Sequence, residues 1–237
     1  MTWVPAASSA VTVVFAALVL RRYAVRREPH LLLWGIGLSF FGLATVAETY
    51  SAVAWHPVAF RLWYLGGAVL SAAWIGQGTV HLLAGPRRRP LASALTGLLA
   101  AASLVASGLV FTVPLDASAF DPRRPLGVQY RAVLPPRAPV RRITPAFNIY
   151  GTAALVGGAL YSAWLFRRRA LAPHRVLGNL LIALGALTIA LAGTLVRFGL
   201  GGVLALGELL AAALMCAGFL LAAGPAAGRI SASPARR

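Results

Sequence analysis

Two glutamates carry the strongest chemistry in this chain. Glu48 lies in the apolar run 31–55 and Glu208 in the run 203–223. An ionisable side chain is costly in hydrocarbon, so a carboxyl inside such a run marks a ligand, proton or ion site, or else one half of an internal ion pair. Candidate cations stand nearby in the chain. Arg61 follows Glu48 across the turn Trp55-His56-Pro57, and Arg197 precedes Glu208 across Gly199-Leu200-Gly201-Gly202. Counted from Trp55 and Gly201, each glutamate is one short helical stretch deep, about 10 Å at 1.5 Å per residue. Tyr64, Asn148 and Tyr150 fall near the same level. Glu48, Arg61, Tyr64, Asn148, Tyr150, Arg197 and Glu208 are therefore the expected ligand-binding residues of an outward-facing polar pocket. The alternative is that Glu48–Arg61 and Glu208–Arg197 are ion pairs that fix helix packing, and the two readings are compatible.

Other chemistries have weaker footing. His30, His81 and His174 fall near one end of the apolar runs, which invites a haem, but axial ligands must face each other at a suitable depth. Interfacial histidines are more simply solvated, so no cofactor is expected. A covalent retinal needs a lysine, and the chain has none. Cys216 is the only cysteine, which excludes an intrachain disulfide and a cysteine-based metal cluster. No HExxH, GxSxG or P-loop pattern occurs. Gln77, Thr79 and Asn179 are expected to hydrogen-bond between helices.

The elements that must position these groups follow from composition. Of the 237 residues, 59% are hydrophobic and only 11% charged, against about 25% charged in a soluble domain. Mean hydropathy is +0.77. A spanning helix needs about 20 mostly apolar residues, and seven runs qualify: 3–20, 31–55, 58–84, 91–113, 147–166, 176–198 and 203–223. The expected fold is all-α, a single polytopic bundle of seven transmembrane helices. A loop at 114–146 and a short tail at 224–237 complete it. The first run has its arginines after the apolar core, not before it, so it reads as a retained helix and not a secretory signal.

Arginine placement sets the expected orientation. With the N-terminus outside, the cytoplasmic segments hold Arg21, Arg22, Arg26 and Arg27, then Arg87, Arg88 and Arg89, then Arg167, Arg168, Arg169 and Arg175, and finally Arg229, Arg236 and Arg237. The Pro- and Arg-rich loop 114–146 opposes that frame, since it carries Arg123, Arg124, Arg131, Arg137, Arg141 and Arg142 on the outer side. It reads either as an irregular interfacial coil or as a lid over the outer end. The formal charge of +17 would ordinarily suggest nucleic acid. Here the basic residues flank apolar runs, and arginine without lysine reads as a product of GC-rich coding. The expected partners are a lipid bilayer, the cytoplasmic membrane, and a separate signalling protein.

The stretch Glu48 … Trp55-His56-Pro57 … Arg61-Leu62-Trp63-Tyr64-Leu65-Gly66 resembles the seven-helix N-terminal sensor region of some bacterial histidine kinases. In those an acidic residue near the end of one helix precedes an aromatic-Leu-Gly start of the next. The resemblance spans about a quarter of the chain and implies a membrane-embedded input module. No kinase or cyclase segment follows before Arg237, so a stand-alone sensor with a separate partner is expected. A small-molecule or lipid transporter using Glu48 and Glu208 is the alternative, though neither internal repeats nor prolines inside helices two to seven support it. An electron-transfer subunit and a structural or assembly subunit stand behind these.

Overall fold

The computed structural model describes residues 3–168 and 173–223, apart from the side chain of Arg197. Arg169 and the tail 224–237, with its three arginines, lie outside the described residues. Seven helices are long and apolar enough to cross a membrane: α1 Trp3–Arg26, α2 Pro29–Ser51, α3 Pro57–Leu83, α4 Arg89–Thr112, α5 Pro139–Arg168, α6 Pro173–Arg197 and α7 Leu204–Ala223. The chain is a multi-pass helical membrane bundle, and no strand occurs among the described residues.

The expected spans are all present, with shifted ends. Proline accounts for the starts. Pro29, Pro57, Pro139 and Pro173 each open a helix, where a missing N–H costs nothing. α1 runs past Leu20 to Arg26, because arginine is a good helix former and its side chain reaches away from the apolar core. It ends where Arg27 turns left-handed at φ 55°. α6 closes in a Schellman turn. Gly199 takes φ 90°, Leu200 N–H reaches Leu195 O at 3.0 Å and Gly199 N–H reaches Val196 O at 3.1 Å. This is the tight Gly-rich turn expected between the last two spans.

The largest displacement is in α5, which starts at Pro139 and not at 147. Pro145 therefore lies inside a helix, against the expectation of proline-free interiors. It sits in the second turn, where it removes a single backbone bond near an end that is already short of partners.

The order of packing is α1 against α2 and α7, α2 against α3, α3 against α5, α5 against α6, and α6 against α7. The backbones of α2 and α7 do not pack closely on each other. α4 stands at the edge and buries the smallest share of its apolar stretch, 22%. Without a hydrophobic drive between helices in lipid, close contact depends on small residues. A Cβ on Gly76 of α3 would lie 2.6 Å from Gly151 O of α5. A Cβ on Gly178 of α6 would lie 2.7 Å from Gly218 O of α7.

α3 is not a regular α-helix. Tyr64–Leu70 forms a π-helical segment, in which Ser71 N–H reaches back to Gly66 O. The backbone of α2 passes close to Gly66, since a Cβ there would meet Phe40 O at 2.5 Å. The segment is bordered by aromatic rings on one side and by small residues on the other.

Residues 114–138, expected as coil or lid, form a packed cap over the end of the bundle that also carries the α2–α3 and α6–α7 turns. A short helix, Leu126–Val133, buries Leu126 and Val133. Phe120 stacks on Trp55 at 4.8 Å, and Tyr130 lies 6.2 Å from Trp63 and 6.3 Å from Tyr64. Gln129 is buried and ties the loop to itself, accepting from Asp121 N–H at 2.7 Å and donating to Asp121 O and Arg124 O at 2.9 and 2.7 Å. Of the six loop arginines, Arg141 and Arg142 belong to the start of α5. Arg141 donates to Leu134 O at 3.1 Å, and its guanidinium lies 5.5 Å from the Tyr130 ring.

Gly76→Leu should lower stability by about 1–3 kcal/mol or more, because the obstacle is backbone and cannot move aside. Gly97→Leu, with open space at its Cβ position, should not. Thermal unfolding of both variants in detergent compares them directly.

Candidate functional site

The expected site residues separate into three environments. Glu48 and Glu208 meet each other. Both are 4% exposed, and their carboxyl groups lie within reach of each other across the space between α2 and α7. Trp63 of α3 lies beside Glu48 and offers it an indole N–H. An ionised carboxylate only accepts, so two carboxyls can bond to each other only with a proton on one of them. Oε2 of each glutamate finds no donor among the surrounding groups.

Arg61 is not the partner of Glu48. It points instead to the end of α4, where Nη1 donates to Val110 O and, at 3.0 Å, to Val113 O. The guanidinium also lies over Phe111 at 5.9 Å. The physical reason is demand: the last carbonyls of a helix have no intrahelical donor, and a cation there is favoured by the helix dipole. The proposed Glu208–Arg197 pair involves a side chain outside the described residues, while the other face of Glu208 is occupied by Glu48.

Tyr64, Asn148 and Tyr150 do not join the carboxyls. Tyr64 is buried, with its hydroxyl 3.1 Å from Thr144 Oγ1. Tyr150 hydrogen-bonds to Gln77 Oε1. Gln77 in turn donates to Ala92 O and Thr96 Oγ1, both at 2.8 Å, and His81 Nε2 is 2.8 Å from the same Thr96 hydroxyl. Trp74 Nε1 donates to Ser103 Oγ at 3.1 Å. This ladder and Arg61 are what hold the lightly packed α4 to the bundle. Among the other histidines, His30 lies 3.6 Å from Glu28 and edge-on to Trp34, and His174 is exposed.

Asn148 faces a different space. It donates to Ala68 O of the π segment at 2.7 Å and to Thr144 O at 3.2 Å. It also lines a cavity of about 70 Å³ whose wall draws residues from every span except α4. The wall is mostly apolar, with Phe15, Leu38, Phe41, Leu155 and Met215, and its polar members are Ser71, Asn148 and Thr152. A volume of that size exceeds what a single water needs. Residues Ala211 and Ala212 of the wall lie one turn beyond Glu208, away from the cap. The order along the bundle is therefore cap, carboxyl pair, cavity.

Two groups in this region gave no signal in the sequence. Ser8 and Thr12 of α1 are fully buried, and neither hydroxyl has a hydrogen-bond partner. They lie on the buried face of α1, whose neighbours are α2 and α7. The adjacent Ser9 hydroxyl is 3.1 Å from Thr49 Oγ1, which sets Ser8 level with Glu48. A serine and a threonine four apart are common in any membrane helix, so only the packing distinguishes them.

Comparison with family models, with curated proteins and with solved structures finds no match to the chain.

Arg61→Met should free the last carbonyls of α4 and speed amide exchange around residues 110–113, while leaving α2 and α7 unchanged. In the cap, Asp116 accepts from the Ser118 hydroxyl at 2.6 Å and from its N–H at 3.0 Å, which hold its carboxyl below the usual range. A depressed carboxyl contributes stability that is present above its ordinary pKa and lost as pH falls through the depressed value. Protection of amides 117–120, measured relative to the intrinsic exchange rate at each pH, should therefore fall on acidification in the native chain and stay constant with pH in Asp116→Ala.

Proposed function

We propose that this chain is a seven-helix membrane sensor that binds a small, largely apolar ligand in the cavity at the middle of the bundle. The observation that carries the reading is a cavity lined by residues of six spans. A ligand there touches α1, α2, α3, α5, α6 and α7 at once, so its arrival can bias their packing as a set. The wall suits a compact apolar body with one hydrogen-bonding group, placed against Asn148, Ser71 or Thr152. Asn148 joins the wall to the π segment, which gives a bound ligand a route to α3. This replaces the outward-facing pocket expected from the sequence with a deeper and less polar one.

The arginine pattern supports an orientation with the N-terminus and the cap outside and the arginine-rich end in the cytoplasm, in a bacterial cytoplasmic membrane. On that orientation the sensor signals at its arginine-rich end to a separate protein, in line with the resemblance of residues 48–66 to kinase input modules. A transporter coupled to protons or cations is the second reading, and the buried carboxyl pair is the observation in its favour.

Gentle purification followed by native mass spectrometry tests the first reading. A small molecule should accompany the native protein and be absent from Ala190→Phe, in which a ring occupies the cavity wall. An identical spectrum from both proteins would remove the support for a cavity ligand. Accumulation of that molecule in proteoliposomes under a proton gradient would decide for transport.

A further inference from the structure

We propose that Glu48 and Glu208 form a proton-binding site that latches α2 to α7, independently of any ligand in the cavity. The case begins with geometry. The backbones of α2 and α7 do not pack closely, yet their carboxyls meet, so these two side chains bridge the helices on the cap side of the cavity. Both side chains are buried, at 4% exposure each. Two acceptors meet only through a proton, and removing that proton leaves two like charges in contact in a medium of low dielectric.

Among the described side chains, no fixed counter-charge takes the proton's place. α1 has no titratable side chain from Trp3 to Leu20. On α3, Arg61 is committed to the carbonyls of Val110 and Val113, Tyr64 to Thr144, and Trp63 supplies one neutral donor. On α2, Tyr50 is half-exposed, and His56, in the turn beyond, uses Nδ1 to accept from Val58 N–H. On α7 the only other titratable group is Cys216, beyond the cavity. Arg197 of α6 lies outside the described side chains.

A second observation points to the same place. Ser8 and Thr12 bring two more fully buried, unpartnered oxygens to the junction of α1 with α2 and α7. Ser8 is level with Glu48, and Thr12 lies about 9 Å further along α2, beside Gly42. Buried oxygens without partners are few in a folded chain, so this group calls for an explanation beyond packing. Hydroxyls that either donate or accept can stabilise a carboxyl pair before and after it loses its proton. When the proton leaves, the carboxylates separate and α2 and α7 move apart beneath the cap.

The test uses the full-length protein in proteoliposomes. Difference infrared spectra between mildly acid and mildly alkaline buffer should show the carbonyl stretch of a protonated carboxyl. It should be sensitive to deuterium, be lost on alkalisation, and be absent from Glu48→Gln and from Glu208→Gln alike, because the proton belongs to the pair. In parallel, spin labels at Tyr50 and Leu206, both exposed, with Cys216 replaced, report the separation of α2 and α7. The separation should grow with the same midpoint in the native protein, and stay short at every pH in the double glutamine variant, whose neutral amides still bond. A carboxyl band that titrates without a change in separation would overturn the latch. No such band at any pH would overturn the proton site, and a separation that answers to sodium in its place would reassign the oxygens to a metal cation. Should the glutamine variants fail to fold, the infrared titration and the distance in the native protein still decide. Ala190→Phe should leave both readouts unchanged, which separates this site from the ligand reading.

Discussion

Hydrocarbon offers no partner to a polar group, and this constraint organises the molecule from backbone to site. It makes every span helical, since only a helix satisfies its own backbone. It also dictates what the polar side chains do. Ser39, Ser51, Ser103, Ser107 and Thr144 each return a hydroxyl hydrogen to the carbonyl four residues back, a bond available to them without any neighbour. Longer groups must find partners across helices, and so they become the fasteners: Gln77 and Trp74 to α4, Asn148 to α3, Arg61 to the end of α4. A carboxyl has neither option unless a donor or a proton reaches it. Glu48 and Glu208 are where the constraint is met by another carboxyl.

The same constraint governs what was legible in the sequence. Seven spans follow from apolar length, because a bilayer imposes one thickness on every helix. The Gly199–Gly202 turn was legible because only glycine accepts that backbone conformation so readily. The special status of Glu48 and Glu208 was legible from cost alone, and their shared depth followed from counting residues. Their partnership was not. Proximity in the chain pointed to Arg61 and Arg197, but a neighbour across a turn is only one of several helices within reach. Sequence gives the height of a residue in a bundle far better than its compass direction. Tyr64, Asn148 and Tyr150 show the same limit: Tyr64 turns to α5, while Asn148 and Tyr150 turn to α3 and lie deeper than expected, because α5 begins at Pro139 and not at 147.

The cap shows a second kind of blindness. Proline and arginine density made residues 114–146 read as coil or lid, and the start of α5 disappeared into that reading. Pro139 and Pro145 fall inside that loop reading, although proline near the start of a helix is compatible with it. The buried members of the cap, Leu126, Gln129 and Val133, are spaced three and four apart, a helical stripe too short to stand out. What makes it a structure is the aromatic surface beneath it, formed by Trp55, Phe60, Trp63 and Tyr64 from the α2–α3 corner.

The π segment at Tyr64–Leu70 gives α3 a property that the other spans lack. A π turn is an α-helix carrying one surplus residue. The half of α3 that bears Trp63 and Arg61 is therefore rotated by about 100° and displaced by about 1.5 Å from where a regular helix would put it, relative to the half that bears Ser71 and Gln77. Were the surplus to migrate along α3, side chains would change faces one turn at a time while both ends stayed where they are. In most membrane helices a deleted residue throws every later contact out of register. Here Ser71, Ala72 and Ile75 of the cavity wall and Trp63 beside Glu48 sit on opposite sides of a built-in slip joint, so one half of α3 can turn against the other without either end of the bundle having to move.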